Sequence, residues 1–255
     1  MLMEWDWTII LVIIAFGFLA AFIDAVVGGG GLISIPALLA IGLPPATALG
    51  TNKLASAFGS LTSALRYLRS GKVDLKIVAK LFPLSFVASI CGAILAVYLP
   101  AELLKPLVIV ILTCVLIYTV MKKDWGSIRT YQRLSLTKLI LFVGVIVLIG
   151  FYDGFLGGGT GSFLMFAFLI IGFDFLSAAG NAKVLNFASN FGALLLFIYL
   201  GHVNFVIGLS MAASMIVGSY VGAWFALKYG VGYVKVLFVV VTSILIVKNF
   251  IDYFF

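Results

Sequence analysis

The sequence predicts an all-α polytopic membrane protein built from two five-segment repeats of opposite orientation. The chain of 255 residues is 64% hydrophobic and 10% charged, with a mean hydropathy of +1.27, whereas soluble domains contain about 25% charged residues. Apolar segments cover nearly the whole length, and the second half of the chain repeats the first. We therefore expect a single transmembrane domain over 1–255 with about 8–10 membrane-embedded segments.

Ten apolar segments follow one another between charged residues, glycines and prolines. They cover 7–23, 31–43, 47–68, 77–99, 103–121, 137–152, 160–172, 177–200, 204–227 and 231–251. A helix needs about 20 residues to cross the hydrocarbon of a bilayer, so 31–43 and 160–172 are too short for a regular spanning helix. For each short segment, a re-entrant hairpin with its predecessor and a full crossing both stay open.

The basic residues predict which loops face the cytoplasm. Two loops hold ten of them, with Arg66, Arg69, Lys72, Lys76 and Lys80 in the first and Lys122, Lys123, Arg129, Arg133 and Lys138 in the second. Because cytoplasmic loops are enriched in lysine and arginine, we expect both loops inside and both termini outside. This rule accounts for the charges, so no nucleic acid is expected as a partner.

The two halves of the chain align at an offset of about 130 residues, as repeats over 7–123 and 136–252. Lys105 is expected outside and its counterpart Lys235 inside, so the repeats are inverted. Secondary transporters often have inverted repeats and bind substrate between them at broken helices. The matching stretches are "DAVVGGGG" from Asp24 with "DGFLGGGT" from Asp153, "GTNKL" from Gly50 with "GNAKV" from Gly180, and "GKVD" from Gly71 with "GHVN" from Gly201.

A glycine run follows an aspartate in each repeat and precedes a short segment. Glycine permits positive φ and close backbone approach, so each run predicts a turn whose free N–H groups, with the helix N-terminus behind them, face an anion. Close helix packing by small residues is the alternative. The candidate anion-binding residues are Gly28, Gly29, Gly30 and Gly31 in the first repeat and Gly157, Gly158, Gly159 and Thr160 in the second.

Charged side chains at membrane depth are costly and mark candidate functional residues. Asp24 and Asp153 either carry a coupling proton or cap the amides of the glycine turns. Lys53 and Lys183 either snorkel to the interface, pair with the aspartate of a glycine turn, or offer a positive charge to the substrate. The candidate substrate site also includes the polar residues Thr51, Asn52, Asn181, Asn186 and Asn190.

The sequence predicts neither a metal site nor a cofactor. His202 is the only histidine, and Cys91 and Cys114 are single thiols in apolar runs, whereas metal sites combine several such ligands. The sequence shows neither a nucleophile with a nearby base nor a cluster of acids on one helix face. We therefore expect no catalytic residue and no enzyme.

The glycine motifs identify the chain with a known family. The stretch "DAVVGGGGLISIPALLAIGLPPATALGTNKLASAFGS", with "DGFLGGGTGSF" and "GNAKVLNFASNFGALLLF" in the second half, resembles the sulfite exporter TauE/SafE family, also called the 4-toluene sulfonate uptake permease family. The resemblance covers essentially the whole chain. It implies a carrier in the bacterial or archaeal cytoplasmic (inner) membrane for small sulfur-containing anions such as sulfite or organosulfonates. Ala182 stands where the first repeat has Asn52, so the repeats cannot contribute identical donors.

The leading hypothesis is a secondary transporter, expected to export, whose glycine turns hold the anion while access alternates. The alternatives are an anion channel on the same glycine loops and a membrane enzyme acting on a lipid phosphate with Asp24 and Asp153 as its acids. The expected partners are the small anion and the lipid bilayer. A proton or another coupling ion, and a second copy of the chain in a homodimer, stay open.

Overall fold

The computed structural model describes residues 7–98, 126–132 and 134–254, and all regular structure in these ranges is helical. The predicted segment 103–121, and the predicted end of the first repeat at residue 123, lie outside the described residues. The described helices are α1 Trp7–Val27, α2 Gly31–Ala40, α3 Pro45–Arg69, α4 Leu75–Tyr98, α5 Leu136–Phe155, α6 Thr160–Ile170, α7 Phe175–Tyr199 and α8 Phe205–Phe254. Gly230 interrupts α8 with φ 81° and ψ −167°.

Five helices within the described ranges are long and apolar enough to cross a membrane. They are Ile9–Val27, Leu75–Tyr98, Leu136–Phe155, Phe175–Tyr199 and Phe205–Gly230. α3 is also long, with 25 residues, but it carries buried polar and charged side chains such as Asn52 and Lys53 along its length. The prediction of an all-α polytopic membrane protein is confirmed.

The two short segments form the short helices α2 and α6, with 10 and 11 residues. At 1.5 Å per residue each is about 15 Å long, half of the hydrocarbon thickness. Both are shorter than the sequence predicts because a glycine turn follows each of them. Gly42 and Gly172 occupy these turns with φ of 88° and 101°, which glycine adopts without steric cost.

The two repeats pack on each other through parallel helix pairs. α1 runs parallel to the part of α8 before Gly230, and α4 runs parallel to α5, because their contacts advance in the same direction along both helices. Glycine at these crossings lets the backbones approach closely, as is common in membranes. The contacts are Gly17 with Met211, Gly218 with Phe18 and Gly222 with Phe22 in the first pair, and Gly150 with Ser85, Gly154 with Ser89 and Gly92 with Phe151 in the second.

α3 and α7 run antiparallel between these pairs. Gly50 near the start of α3 lies against Phe197 near the end of α7, and Gly180 near the start of α7 lies against Tyr67 near the end of α3. α3 is parallel to α8 and α7 is parallel to α4, as shown by the pairs Leu54 with Gly208, Gly59 with Met215, Phe82 with Phe187 and Phe86 with Phe191.

Each long helix therefore runs antiparallel to its counterpart in the other repeat. α1, α3 and α8 point one way, while α4, α5 and α7 point the other way. The counterpart pairs α1 with α5, α3 with α7 and α4 with α8 are all antiparallel, as inverted repeats require. This arrangement brings the ends of α1 and α5, and hence the two glycine runs, toward the same place.

Candidate functional site

The two glycine turns pack directly against each other. Gly28 lies against the backbone of Gly161 and Ser162, and Gly31 lies against the backbone of Gly157. The Ser162 hydroxyl also donates to the Val27 carbonyl at 3.0 Å. A side chain at Gly28, where φ is 84°, would overlap the backbone of α6. Glycine is therefore needed here both for the backbone conformation and for the close approach of the turns.

The two short helices begin where the sequence predicts, α2 at Gly31 and α6 at Thr160. The start of α6 is the more open of the two. Within the described part of the chain, the N–H groups of Gly161 and Ser162 donate to no acceptor. Because the N-terminus of a helix carries a partial positive charge and free N–H groups, this position favours an anion.

Each buried lysine pairs with the aspartate of the other repeat. Lys53 Nζ lies 2.9 Å from Asp153 Oδ1 and also donates to the Asp153 carbonyl. Lys183 Nζ lies 2.7 Å from Asp24 Oδ2. Both lysine side chains are 1% exposed, so neither ammonium group reaches outward, and pairing offsets the cost of burying each charge.

The two aspartates differ in what surrounds their second oxygen. Asp24 Oδ1 accepts the Gly30 N–H at 3.3 Å, so Asp24 caps its own glycine turn as well as binding Lys183. Asp153 Oδ2 is buried and has no hydrogen-bond donor among the described residues. The Tyr152 hydroxyl donates to the Gly158 carbonyl in that turn. The capping role open to both acids is therefore seen for Asp24 alone.

A small polar cavity lies where the turns meet. The residues singled out in the sequence that line it are Asp24, Gly30, Gly31, Asn52, Asp153, Gly157, Asn186 and Asn190. The cavity offers about 20 Å³ of space to a sphere the size of a water molecule. This space is enough for one water molecule. The remaining glycines, Gly28, Gly29, Gly158 and Gly159, and Thr160 build the turns without lining the cavity, and Lys53 and Lys183 lie behind the aspartates.

Two asparagines offer donors to the cavity. Asn52 Oδ1 accepts the Ser34 hydroxyl at 2.6 Å, and Asn186 Oδ1 accepts Asn190 Nδ2 at 2.6 Å. The Nδ2 groups of Asn52 and Asn186 donate to no acceptor among the described residues. An amide whose oxygen is already occupied can still donate two hydrogen bonds, so these groups can bind the oxygens of an anion.

Thr51 and Asn181 have a structural role instead. Thr51 Oγ1 accepts the Asn204 N–H at 3.0 Å, and Asn181 Oδ1 accepts the Asp74 N–H at 2.8 Å. These contacts hold the loops that precede α8 and α4, and neither residue lines the cavity. The two equivalent positions therefore tie each repeat to a loop of the other.

Eight cavity residues were not singled out from the sequence: Ser56, Ser60, Gly161 and Ser219, which offer hydroxyl or backbone N–H groups, and Ala20, Ala21, Gly59 and Met215. Ser56 and Ser60 follow Asn52 at intervals of four residues, so the helical period places them on its face and could have identified them. Ser219 lies on α8, beside Gly59. No local pattern marks it, because its position depends on how α8 packs against α3.

No group of three or more His, Cys, Asp or Glu side chains in the described ranges is arranged to hold a metal ion. The polar groups at the cavity are two carboxylates, the amides of three asparagines, hydroxyls and backbone N–H groups. Such groups can bind a small polar solute through hydrogen bonds.

The comparison with known proteins identifies the family. The family model described as sulfite exporter TauE/SafE matches residues 13–249. The chain belongs to the TauE/SafE family. A Sinorhizobium sp relative named "Probable membrane transporter protein ORF9" is 39% identical over 236 residues, which cover 92% of this chain and 90% of the relative. No solved structure matches the chain.

Other TauE/SafE relatives have names of the same kind. The Escherichia coli (strain K12) "Probable membrane transporter protein YfcA" is 36% identical over 92% of this chain and 87% of its own length. The Bacillus subtilis (strain 168) "Probable membrane transporter protein YdhB" is 28% identical over 85% of this chain and 89% of its own length. With the apolar helices, these matches show a multi-pass membrane transporter of the TauE/SafE type.

Proposed function

We propose that the protein is a secondary transporter that exports a small sulfur-containing anion, such as sulfite or an organosulfonate, by alternating access at the cavity between the glycine turns. The observation that carries the proposal is that two broken-helix turns from inverted repeats meet around one polar cavity. Secondary transporters commonly bind substrate at such an interface. The sulfur-containing substrate is suggested by the description of the family.

Neutral donors are the groups that contact the anion in this proposal. The N–H of Gly161 and the Nδ2 groups of Asn52 and Asn186 have no other acceptor among the described residues, and all three residues line the cavity. Lys53 and Lys183 act from behind, since each is already paired with an aspartate. Their charges offset the carboxylates that would otherwise repel an anion.

The cavity has to widen for transport. The cavity holds about one water molecule, which is smaller than a sulfur oxyanion. The surrounding helices therefore separate when the anion enters. In alternating access the two repeats move relative to each other and open the site to one side at a time. The repeats are joined by the contacts of α1 and α3 with α8, of α4 with α5 and α7, and of α3 with α7, so the movement takes place among these surfaces.

The orientation in the membrane follows from charge. With both basic loops in the cytoplasm, the termini lie outside, and the protein resides in a bacterial or archaeal cytoplasmic membrane. A homodimer is compatible with this arrangement. In this proposal the protein is not an enzyme and needs no cofactor.

Thermal unfolding of the purified protein with sulfite, thiosulfate, methanesulfonate, sulfate or chloride tests binding. A ligand at one hundred times its Kd stabilises the folded state by about 2.7 kcal/mol. We expect at least one sulfur-containing anion, but not chloride, to raise Tm. Equal Tm in all five salts, together with no flux of these anions into proteoliposomes, would overturn the proposal.

Transport kinetics in proteoliposomes separate the carrier from the alternatives. A carrier gives saturable uptake of labelled anion that accelerates when unlabelled anion is present on the other side. Uptake that rises linearly with concentration and shows no such exchange would indicate a channel. Turnover of an added lipid phosphate would indicate an enzyme.

A further inference from the structure

Asp153 has a carboxylate oxygen that receives no hydrogen bond from the described part of the chain. Its side chain is 2% exposed and it lines the cavity between the glycine turns. Oδ1 is held by Lys53 at 2.9 Å, whereas Oδ2 is buried without a donor among the described residues. A buried polar atom without a partner is rare and costs free energy. A group that joins Oδ2 during the transport cycle would remove this cost.

The charged groups around Asp153 determine which group can bind to its Oδ2 atom. Lys53 from α3 is its ion-pair partner, and Asp24 with Lys183 forms the other pair at the cavity. The Tyr152 hydroxyl is engaged by the Gly158 carbonyl. α4 packs against this end of α5 through Ser89 and Gly92, and α6 contains no titratable side chain. No cation from the described helices lines the cavity, and the two lysines contact only the aspartates behind it.

The two ion pairs are neutral together, so an incoming anion adds an uncompensated negative charge to a buried site. Buried charge without compensation is strongly unfavourable. A proton on Asp153 Oδ2 removes one negative charge and leaves the Lys53 charge to balance the anion. It also turns Oδ2, an acceptor without a donor among the described residues, into an O–H donor at a residue that lines the cavity.

We propose that Asp153 takes up one proton on Oδ2 together with the anion and releases it with the anion on the other side of the membrane. This inference rests on the proposed function and adds the coupling ion to it. Export is then driven by the outward gradient of the anion, because a proton gradient directed into the cell would favour uptake. The proton comes from water on the entry side, forms an O–H bond with Oδ2, and returns to water on the exit side. Asp24 is not the coupling group in this proposal, because Lys183 and the Gly30 N–H already occupy its two oxygens.

Proton uptake on anion binding tests the proposal in the purified full chain. Methanesulfonate is the probe, because its sulfonate stays ionised over the pH range of the experiment and cannot itself account for protons. In weakly buffered detergent solution we expect one proton to be taken up for each methanesulfonate bound by the wild-type protein. D153N should take up none, and D74N, a variant of the acid that pairs with Arg129 outside the cavity, should retain the uptake.

Accumulation in proteoliposomes gives a second readout. For a monoanion coupled to one proton, a gradient of one pH unit supports about tenfold accumulation. In wild-type vesicles we expect the accumulation of labelled methanesulfonate to rise about tenfold for each pH unit of the gradient. In D153N vesicles the accumulation should not depend on the pH gradient. Accumulation that follows a sodium gradient instead would overturn the proposal.

The outcomes separate this inference from the proposed function. If the wild-type protein binds and exchanges methanesulfonate but takes up no proton, the inference fails and the transporter remains. If D153N still takes up one proton for each methanesulfonate bound, the assignment to Asp153 fails. If D153N does not bind, the wild-type stoichiometry decides, because one proton per anion supports the inference and none overturns it. If the wild-type protein binds none of sulfite, thiosulfate and methanesulfonate, the proposed function itself fails.

Discussion

Asp24 and Asp153 occupy equivalent positions in the two repeats, but they differ in exposure and in hydrogen-bond partners. Asp24 is 19% exposed at its side chain and both of its oxygens are occupied, one by Lys183 and one by the Gly30 N–H. Asp153 is 2% exposed, and one of its oxygens has no hydrogen-bond donor among the described residues. Duplication thus determines where the charges lie, while the local neighbours determine what each charge can do. The acid of the first repeat has hydrogen-bond donors at both oxygens, whereas the acid of the second repeat has a donor at one oxygen among the described residues.

The largest expected effect comes from filling the contact between the turns. G28A places a methyl group on the backbone of Gly161 and Ser162 at a residue with φ 84°, so we expect no folded protein by size-exclusion chromatography. G159A is the matched control in the other repeat. Gly159 also has positive φ, 88°, but its nearest neighbour is Phe163 at 3.5 Å.

For G159A, we therefore expect folded protein destabilised by about 1–2 kcal/mol, the cost of a left-handed conformation for an L-residue. Thermal unfolding in detergent measures this loss. Equal yields of folded G28A and G159A would show that the turns do not pack as described.

Removing one lysine at a time compares the two ion pairs. Breaking a buried pair leaves an uncompensated charge and typically costs about 3–5 kcal/mol. We expect K53M to lie in this range, because Asp153 is then left with no partner for either oxygen. K183M should cost less, because Asp24 keeps the Gly30 N–H and is more exposed. Denaturation midpoints give both values.

The double variant K53M/D153N is the control for this comparison. It removes both charges, so it should recover part of the stability that K53M loses. A double variant less stable than K53M, or a K183M that costs more than K53M, would contradict the different environments of the two aspartates.

A third comparison separates the residues that line the cavity from those that hold loops. N186A removes an amide donor from the cavity, and a hydrogen bond to a charged group is worth about 1.5–3 kcal/mol. We expect Kd for the stabilising anion to rise about tenfold or more. T51V removes the acceptor of the Asn204 N–H, so it should lower stability by about 1 kcal/mol and leave Kd unchanged.

Isothermal titration calorimetry gives Kd, and thermal unfolding gives the stability of the same samples. If T51V weakens binding as much as N186A does, the division between cavity residues and loop anchors is wrong.

The smallest expected effect lies at the exposed pair of Arg129 with Asp74. Their side chains are 44% and 22% exposed, and the nitrogen–oxygen distance is 2.8 Å. Exposed pairs typically contribute less than about 1 kcal/mol, so R129Q should change stability little in high salt and slightly more in low salt. Thermal unfolding at two salt concentrations measures this. A loss as large as that of K53M would contradict the contrast between buried and exposed pairs.

Local sequence patterns were enough to predict the helices and the turns. The glycine runs predicted both breaks, the segment lengths predicted two short helices, and the recurrence of "GGGG" and "GGGT" predicted that the turns form a pair. The inverted orientation, predicted from the distribution of lysine and arginine, agrees with the opposite directions of the counterpart helices. These features depend on residues close together in the chain.

The partners within the site could not be predicted in the same way. The sequence left pairing with a turn aspartate open as one of three roles for each lysine, and it did not indicate that Lys53 reaches the second repeat and Lys183 the first. It placed Thr51 and Asn181 with the substrate donors, whereas they hold loops. It offered no sign of Ser219. Each of these contacts depends on how two inverted repeats pack, and no local pattern encodes that packing.

The location of a bound anion tests the central claim most directly. Selenite is the selenium analogue of sulfite, and its anomalous scattering marks its position in crystals of the protein. The account predicts a selenium peak in the cavity, within hydrogen-bond distance of Asn52, Asn186 and the Gly161 N–H. A peak at the basic loops instead, or an empty cavity at a selenite concentration that raises Tm, would contradict it.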